Sequence, residues 1–198
     1  MDQQLSFLQR DPTFHSVFFA ALPDPATVAS TERIAGNVPQ RLRTTTTLIA
    51  PERLHVTLLP VGGFSGSYPP AVIDAAMLAA RTVSMAPFKV EFDRIATFSG
   101  GRGKQALVLT GNDDAVAGFV MLQKSLCQAM AKIGLKLRRP SSFSPHLTMM
   151  YANQRFDRPI RPVSWTVNRF VLVDSLVGRS THVHLGQWSL GSRSTTVH

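Results

Sequence analysis

Two short segments constrain this chain more than any other feature. Leu54-His55-Val56-Thr57-Leu58 and Pro145-His146-Leu147-Thr148-Met149 share one pattern: a histidine and a threonine two positions apart inside an apolar frame. Side chains of a β-strand alternate between its faces. Leu54, Val56 and Leu58 therefore share one face, and His55 and Thr57 share the other. In the second segment Leu147 and Met149 turn inward, and His146 and Thr148 turn outward. Each strand buries an apolar face and presents an imidazole with a hydroxyl on the opposite one. A single H-x-T is weak evidence of anything. Two copies in matched frames, one in each half of the chain, point to a paired site.

Such a pairing has chemical logic. Water cleaving a phosphodiester needs a base to take its proton and an acid to protonate the departing oxygen. Histidine titrates near neutral pH and serves in either role. The threonine hydroxyls can donate to non-bridging phosphate oxygens as charge develops on them.

The rest of the chain supplies a scaffold. His15 to Leu22 reads as a buried strand, broken by Pro23-Asp24-Pro25. Asp24 as cap and Pro25 as first residue predict a helix to about Val38. The threonines at 44–47 predict an edge strand, and Leu54 to Pro60 a further strand. Residues 62–70 read as a Gly/Ser/Pro loop and 71–85 as a helix. Phe88 to Phe98 alternates as a half-buried strand. Ser99 to Lys104 is a hairpin turn, and Ala106 to Thr110 the return strand. Asp113 opens a long helix with Gly134 near its end. His146 to Tyr151 is a strand, residues 152–162 a basic loop, and Trp165 to Val177 and His182 to Leu190 two more strands. Each half then holds a strand–helix–strand unit and an H-x-T strand. This order predicts an α+β protein of antiparallel sheet with helices on its outer faces. The whole chain, 1–198, is expected to be one domain of two lobes, with a frayed start at about 1–13 and a tail at about 191–198.

Composition narrows the function classes. Hydrophobic residues make up 44% and charged residues 17%, enough apolar content for a packed core. No apolar run approaches the roughly 20 residues that span a bilayer. Met1-Asp2-Gln3-Gln4 lacks the basic start of a secretion signal. Cys127 is the only cysteine, so no internal disulfide forms, and a cytoplasmic location is expected. Lys plus Arg number 21 against 12 acidic residues, a net charge of +9 that favours anionic partners. Lys132, Lys136, Arg138, Arg139, Arg155, Arg158 and Arg161 cluster around the second motif against one acid, Asp157. Arg139, Arg155 and Arg158 are therefore candidates for substrate contact. Phe64, Tyr68, Phe143 and Phe156 flank the motifs in predicted loops, where an aromatic ring can stack on a base.

Two other features carry less. His182 and His184 share a strand face, but a metal site needs more ligands and a second shell, so a surface strand explains them better. Ser99-Gly100-Gly101-Arg102-Gly103-Lys104 lacks the spacing of a phosphate-binding P-loop.

On these residues the chain resembles the 2H phosphoesterases, and within them the bacterial LigT-like 2′-5′ RNA ligase / RNA 2′,3′-cyclic phosphodiesterase family. Phe18-Phe19-Ala20-Ala21-Leu22-Pro23-Asp24 is similar to the family's first strand and turn. Leu54 to Leu59 is similar to its first signature and Phe143 to Met149 to its second. Val163 to Leu176 and Trp188-Ser189-Leu190 look like its C-terminal strand pair. The resemblance implies a bilobal fold of two related lobes around a central groove. It implies that His55 and His146 flank the scissile phosphate, with Thr57 and Thr148 holding its oxygens. It implies opening of a 2′,3′-cyclic phosphate to a 2′-phosphate without metal or other cofactor, and ligation of 2′-5′ RNA ends as the reverse reaction. His55 is then the acid and His146 the base.

The chain also departs from the family. Pro60-Val61-Gly62 stands where relatives read Phe-Leu-Gly, and Tyr151 where a basic residue is common. Tyr151 thus joins the candidates for substrate contact, with Arg155 or Arg158 supplying the missing charge. His182 stands where relatives often carry an aromatic residue. The expected partners are RNA ends or nucleotide cyclic phosphates. The alternatives are a phosphodiesterase of small cyclic nucleotide phosphates and a non-catalytic RNA phosphate-binding module.

Two imidazoles and two hydroxyls require no Lewis acid. Hydrolysis of a 2′,3′-cyclic phosphate is therefore expected to survive exhaustive EDTA treatment. Loss of activity restored by a divalent ion would favour the His182–His184 pair as a metal site.

Overall fold

The first strand, β1, covers Phe14–Ala21 and stops where Pro23 removes a backbone donor. The Asp24 side chain accepts the Thr27 amide at 2.7 Å and caps helix α1, Pro25–Leu42. The computed structural model describes residues 13–42, 46–98, 105–135 and 143–191. Arg139, the Ser99–Lys104 turn and most of the expected frayed start and tail lie outside them. The chain continues through β2 (Thr46–Leu48), a 3₁₀ turn (Pro51–Arg53), β3 (Val56–Ser65), α2 (Pro70–Ala80), β4 (Phe88–Phe98) and β5 (Gln105–Thr110). It ends with α3 (Asp113–Lys132), β6 (Leu147–Ala152), β7 (Arg158–Val167), β8 (Arg169–Val177) and β9 (Thr181–Ser189). Asn112 caps α3 by accepting the Ala115 amide at 3.0 Å. Gly134 takes a φ of +79° just beyond its end.

The strands form an antiparallel sheet in the order β7-β4-β5-β6-β3-β1-β8-β9, with β2 added to β6. The protein is α+β, as expected from the element order. The sheet has two four-stranded halves, β7-β4-β5-β6 and β3-β1-β8-β9, joined between β6 and β3. That junction is one residue pair, Val56 with Leu147. Beyond it β3 turns away, and β2 takes its place beside β6 through Thr46–Ala152 to Leu48–Met150.

Helix α1 packs on β6 and β7, α3 on β4 and β3, and α2 on α3. The main core lies on the helix side and includes Val17 and Phe19 of β1, Val56, Leu58 and Leu59 of β3, and Leu147, Met149 and Met150 of β6. A second, small cluster of Phe18, Ala20, Val171 and Val173 lies on the face away from that core.

Four expectations need correction. The halves of the fold are not the two halves of the sequence. β1 and β3 belong to one, β4 to β7 to the other, and β8 and β9 return to the first. Residues 62–65 are strand, not loop, because rings cover the glycines. A Cβ on Gly62 would lie 2.6 Å from Phe64, and one on Gly63 2.7 Å from Phe14. Residues 158–162 are strand as well. β7 is an edge strand, where Pro159 and Pro162 leave no interior ladder donor missing. The run expected from Trp165 to Val177 is divided at Asn168, where the chain crosses from one half to the other.

Gly111 lies against backbone. A Cβ there would sit 2.2 Å from the Glu91 carbonyl oxygen, which cannot rotate away. Gly36, inside α1, has nothing within 4 Å of the same position. Gly111→Ala is expected to destabilise the protein by about 1–3 kcal/mol, and Gly36→Ala to stabilise it by about 0.5–1 kcal/mol. Urea unfolding midpoints of the two variants should move in opposite directions.

Candidate active site

Local geometry repeats in the two H-x-T segments. His55 Nδ1 donates to the Arg53 carbonyl at 2.6 Å, and His146 Nδ1 donates to the Ser144 carbonyl at 2.7 Å. A carbonyl only accepts, so each Nδ1 carries the proton. In the neutral ring each Nε2 then holds the lone pair. The His55 Nε2 lies 3.1 Å from Thr57 Oγ1.

A β-bulge follows each threonine. Ala20 pairs with Thr57 and Phe19 with Leu59, leaving Leu58 extra. Val108 pairs with Thr148 and Leu107 with Met150, leaving Met149 extra. Each bulge buries two consecutive residues and flips the next to the H-x-T face. Those next residues are Pro60 and Tyr151.

The Val56–Leu147 pair sets the two motifs against one another. In antiparallel register, the residues on either side of it place His55 across from Thr148 and Thr57 across from His146. The two imidazoles and two hydroxyls therefore gather on one face, opposite the main core. His146 is close enough for its charge to act on His55.

Aromatic rings fix the imidazoles. Phe18 stacks on His55, with centroids 5.0 Å apart and planes at 26°. Phe98 lies 4.7 Å from His146 at 53°. His182 completes the first cluster, edge to face with His55 at 5.2 Å and with Phe18 at 5.9 Å. Burial pushes the His55 pKa below its ordinary value. The hydrogen bond to Arg53 opposes that shift, and the charges of His146 and Arg53 add to it. His182 is pushed down to about 4, first by burial and then by the charges of His55, Arg53 and His184.

The remaining sequence candidates divide. Tyr151 is exposed on the site face, paired with Ala106. Arg155 is exposed just before β7. Arg158 pairs with the core residue Ile95 and lines a cavity of about 240 Å³ with Ile34, Asn37 and Val38 of α1, on the face away from the histidines. Phe64 pairs with His15, on the face of Val17, and packs against Tyr68. The structure therefore does not bring Arg158 or Phe64 to the motifs. Phe143 is partly buried in a cavity of about 400 Å³ beside α3.

Sequence reasoning missed Phe98 and Arg53 and read His182 as a surface residue. Arg53 stands two residues before His55, and its Nε is buried without a hydrogen-bond partner. The signal for His182 was its strand alternation with His184, but nothing in the sequence aligns β9 with β1 and β3. Among the described residues no group of three or more His, Cys, Asp or Glu is placed to hold a metal ion, and no helix is long and apolar enough to cross a membrane.

The model of the 2′-5′ RNA ligase superfamily matches residues 23–179. The chain belongs to this superfamily. It is thus a 2H phosphoesterase by family, and phosphoesterase or ligase chemistry comes with that membership. Solved structures share the fold at low sequence identity. TT0787 of Thermus thermophilus is 20% identical, with a TM-score of 0.69 over 88% of this chain and 97% of its own. E. coli LigT in apo form is 23% identical, with a TM-score of 0.67 over 92% and 100%. E. coli LigT complexed with 3′-AMP is 22% identical, with a TM-score of 0.66 over the same shares. No curated protein matches.

The lowered pKa values of this superfamily member predict a specific acid sensitivity. The folded state favours neutral His55 and His182, whereas the unfolded chain protonates both near pH 6.5. Unfolding therefore takes up protons as pH falls, and stability drops with it. For His182 the loss spans from about pH 6.5 down to about 4. Melting curves across this range should show a smaller decline for His182→Phe than for wild type. Parallel declines would mean that His182 ionises equally in both states.

Proposed function

We propose that this protein hydrolyses RNA 2′,3′-cyclic phosphate ends to 2′-phosphates in the cytoplasm, with 2′-5′ ligation as the reverse reaction. The observation that carries the proposal is the mirrored arrangement about the Val56–Leu147 pair: two imidazoles, each locked through Nδ1, with the His55 Nε2 against the Thr57 hydroxyl, and two hydroxyls beside them.

The phosphate sits between the two Nε2 atoms. His146 takes a proton from water as its oxygen attacks phosphorus. The bond from phosphorus to the 3′ oxygen breaks, and His55 delivers a proton to that oxygen. The products are a 2′-phosphomonoester and a 3′-hydroxyl. Thr57 and Thr148 donate to the non-bridging oxygens. This sequence needs His55 protonated at the start, yet burial favours its neutral form in the empty site. The negative charge of the bound phosphodiester opposes that effect, and substrate binding draws a proton onto Nε2. Family resemblance supports these roles.

A second reading has its own support. Arg158 lies on the α1 side, so the basic stretch does not run continuously along the site. That favours a grip on the terminal nucleotide, and small cyclic nucleotide phosphates are then substrates too. A turnover assay comparing RNA with a 2′,3′-cyclic end against a mononucleotide cyclic phosphate decides between them. Steeper salt dependence for RNA than for the mononucleotide would reveal backbone contacts. Absence of turnover on both would leave a phosphate-binding module.

His55→Ala and His146→Ala are each expected to lower kcat by about 10²–10⁴, and the wild-type rate to follow a bell-shaped pH profile. On a substrate with a much better leaving group, His55→Ala should recover much of its loss and His146→Ala should not. The reverse pattern would exchange the roles, and wild-type rates in both would remove the histidines from the mechanism.

A further inference from the structure

The two motifs are alike in backbone geometry but differ in the rings packed on them. Near His146 the ring contact is Phe98, an apolar residue. Near His55 stand Phe18, His182 and the Arg53 guanidinium. His182 is on the site face by register. It pairs with Ser175, and His184 pairs with Val173, a member of the cluster that contains Phe18.

The ring nitrogens of His182 are in an unusual position. His55 uses both of its nitrogens, and His146 uses Nδ1. Neither nitrogen of His182 has a hydrogen-bond partner among the described residues, and neither is sealed from solvent. The ring is nonetheless held in place by its edge contacts with His55 and Phe18. It is thus an oriented donor with nothing to donate to.

We propose that His182 is a third imidazole of the site, binding the phosphate directly on the His55 side. The inference rests on the reading of this groove as a phosphate site. With a singly charged phosphodiester, neutral His182 donates one N–H to a non-bridging oxygen. The phosphomonoester product carries up to two negative charges. Of the groups whose charge acts on His182, namely His55, Arg53 and His184, none is an acid. No carboxylate among these groups competes with the product, and its second charge draws a proton onto His182. The consequence is product retention that strengthens as pH falls toward the second pKa of the phosphomonoester, about 6. A purely aromatic ring at this position would pack equally well on Phe18 but would neither donate nor titrate.

The test uses inorganic phosphate and calorimetry in buffers of different ionisation heat, which counts protons taken up on binding. His182→Phe keeps a planar ring and removes both donor and charge. His182→Asn keeps a donor and removes the charge. At pH 7.5, where free phosphate is mostly dianionic, wild type should take up protons on binding. His182→Phe should weaken binding there roughly tenfold or more, the worth of one hydrogen bond to a charged group, and take up fewer protons. His182→Asn should lose the extra proton uptake while binding more tightly than His182→Phe. Melting curves establish that each variant is folded, and the asparagine variant carries the test if the phenylalanine variant is not. Unchanged affinity and proton uptake in the folded variants, with wild type still turning over cyclic phosphate, would overturn the role of His182 and leave the proposed function standing. Wild type that neither binds phosphate nor turns over a cyclic phosphate would overturn the site itself.

Discussion

The pairing of Val56 with Leu147 is the point on which the molecule turns. Both side chains are fully buried in the main core, so the strands cannot slip against one another. A shift of one residue would exchange the faces and drive His55 or His146 into apolar packing. Because the pairing ends after one residue pair, β3 and β6 diverge and leave room between the halves. A longer ladder would close that space with backbone. No ladder at all would leave the histidines without a fixed relation.

On each side of this junction the same local device recurs. A histidine ring is tied to the carbonyl two residues upstream, and a bulge follows the threonine. The tie selects the tautomer without spending a carboxylate. The bulge lets two large apolar residues enter the core in succession, Leu58 with Leu59 and Met149 with Met150. That packing stiffens the strand immediately behind the reacting groups. Among the described residues the two similar backbones carry different ring contacts, Phe18 and His182 on His55 and Phe98 on His146.

Much of this was legible in the sequence. Alternation placed His55, Thr57, His146 and Thr148 away from the core, and capping by Asp24 and Pro25 located α1. Phe88–Phe98 was readable end to end because its apolar and charged residues alternate. Failures arose where tertiary context overrides local signals. Gly62 and Gly63 suggest a loop until the rings of Phe64 and Phe14 cover them. Pro159 and Pro162 suggest a loop until β7 proves to be an edge. Arg158 and Phe64 looked like site residues because they are near the motifs in sequence, but sheet register turned them to the opposite face. His182 is the converse case, distant in sequence and adjacent in space, and only the β1–β8–β9 pairings reveal it.

The interleaved path of the chain also governs how such a protein can be made. β1 lies between β3 and β8, so this early strand keeps one edge unpaired until residues beyond Arg169 have emerged. Pairings between such distant segments form slowly, because a long loop must close first. During that interval the open edge of β1 is a template for pairing with another chain. The half that contains His55 is completed only by the β8–β9 hairpin, whereas the half that contains His146 is finished with β7. A nascent chain therefore carries one histidine on a finished sheet before the other has a sheet to stand on.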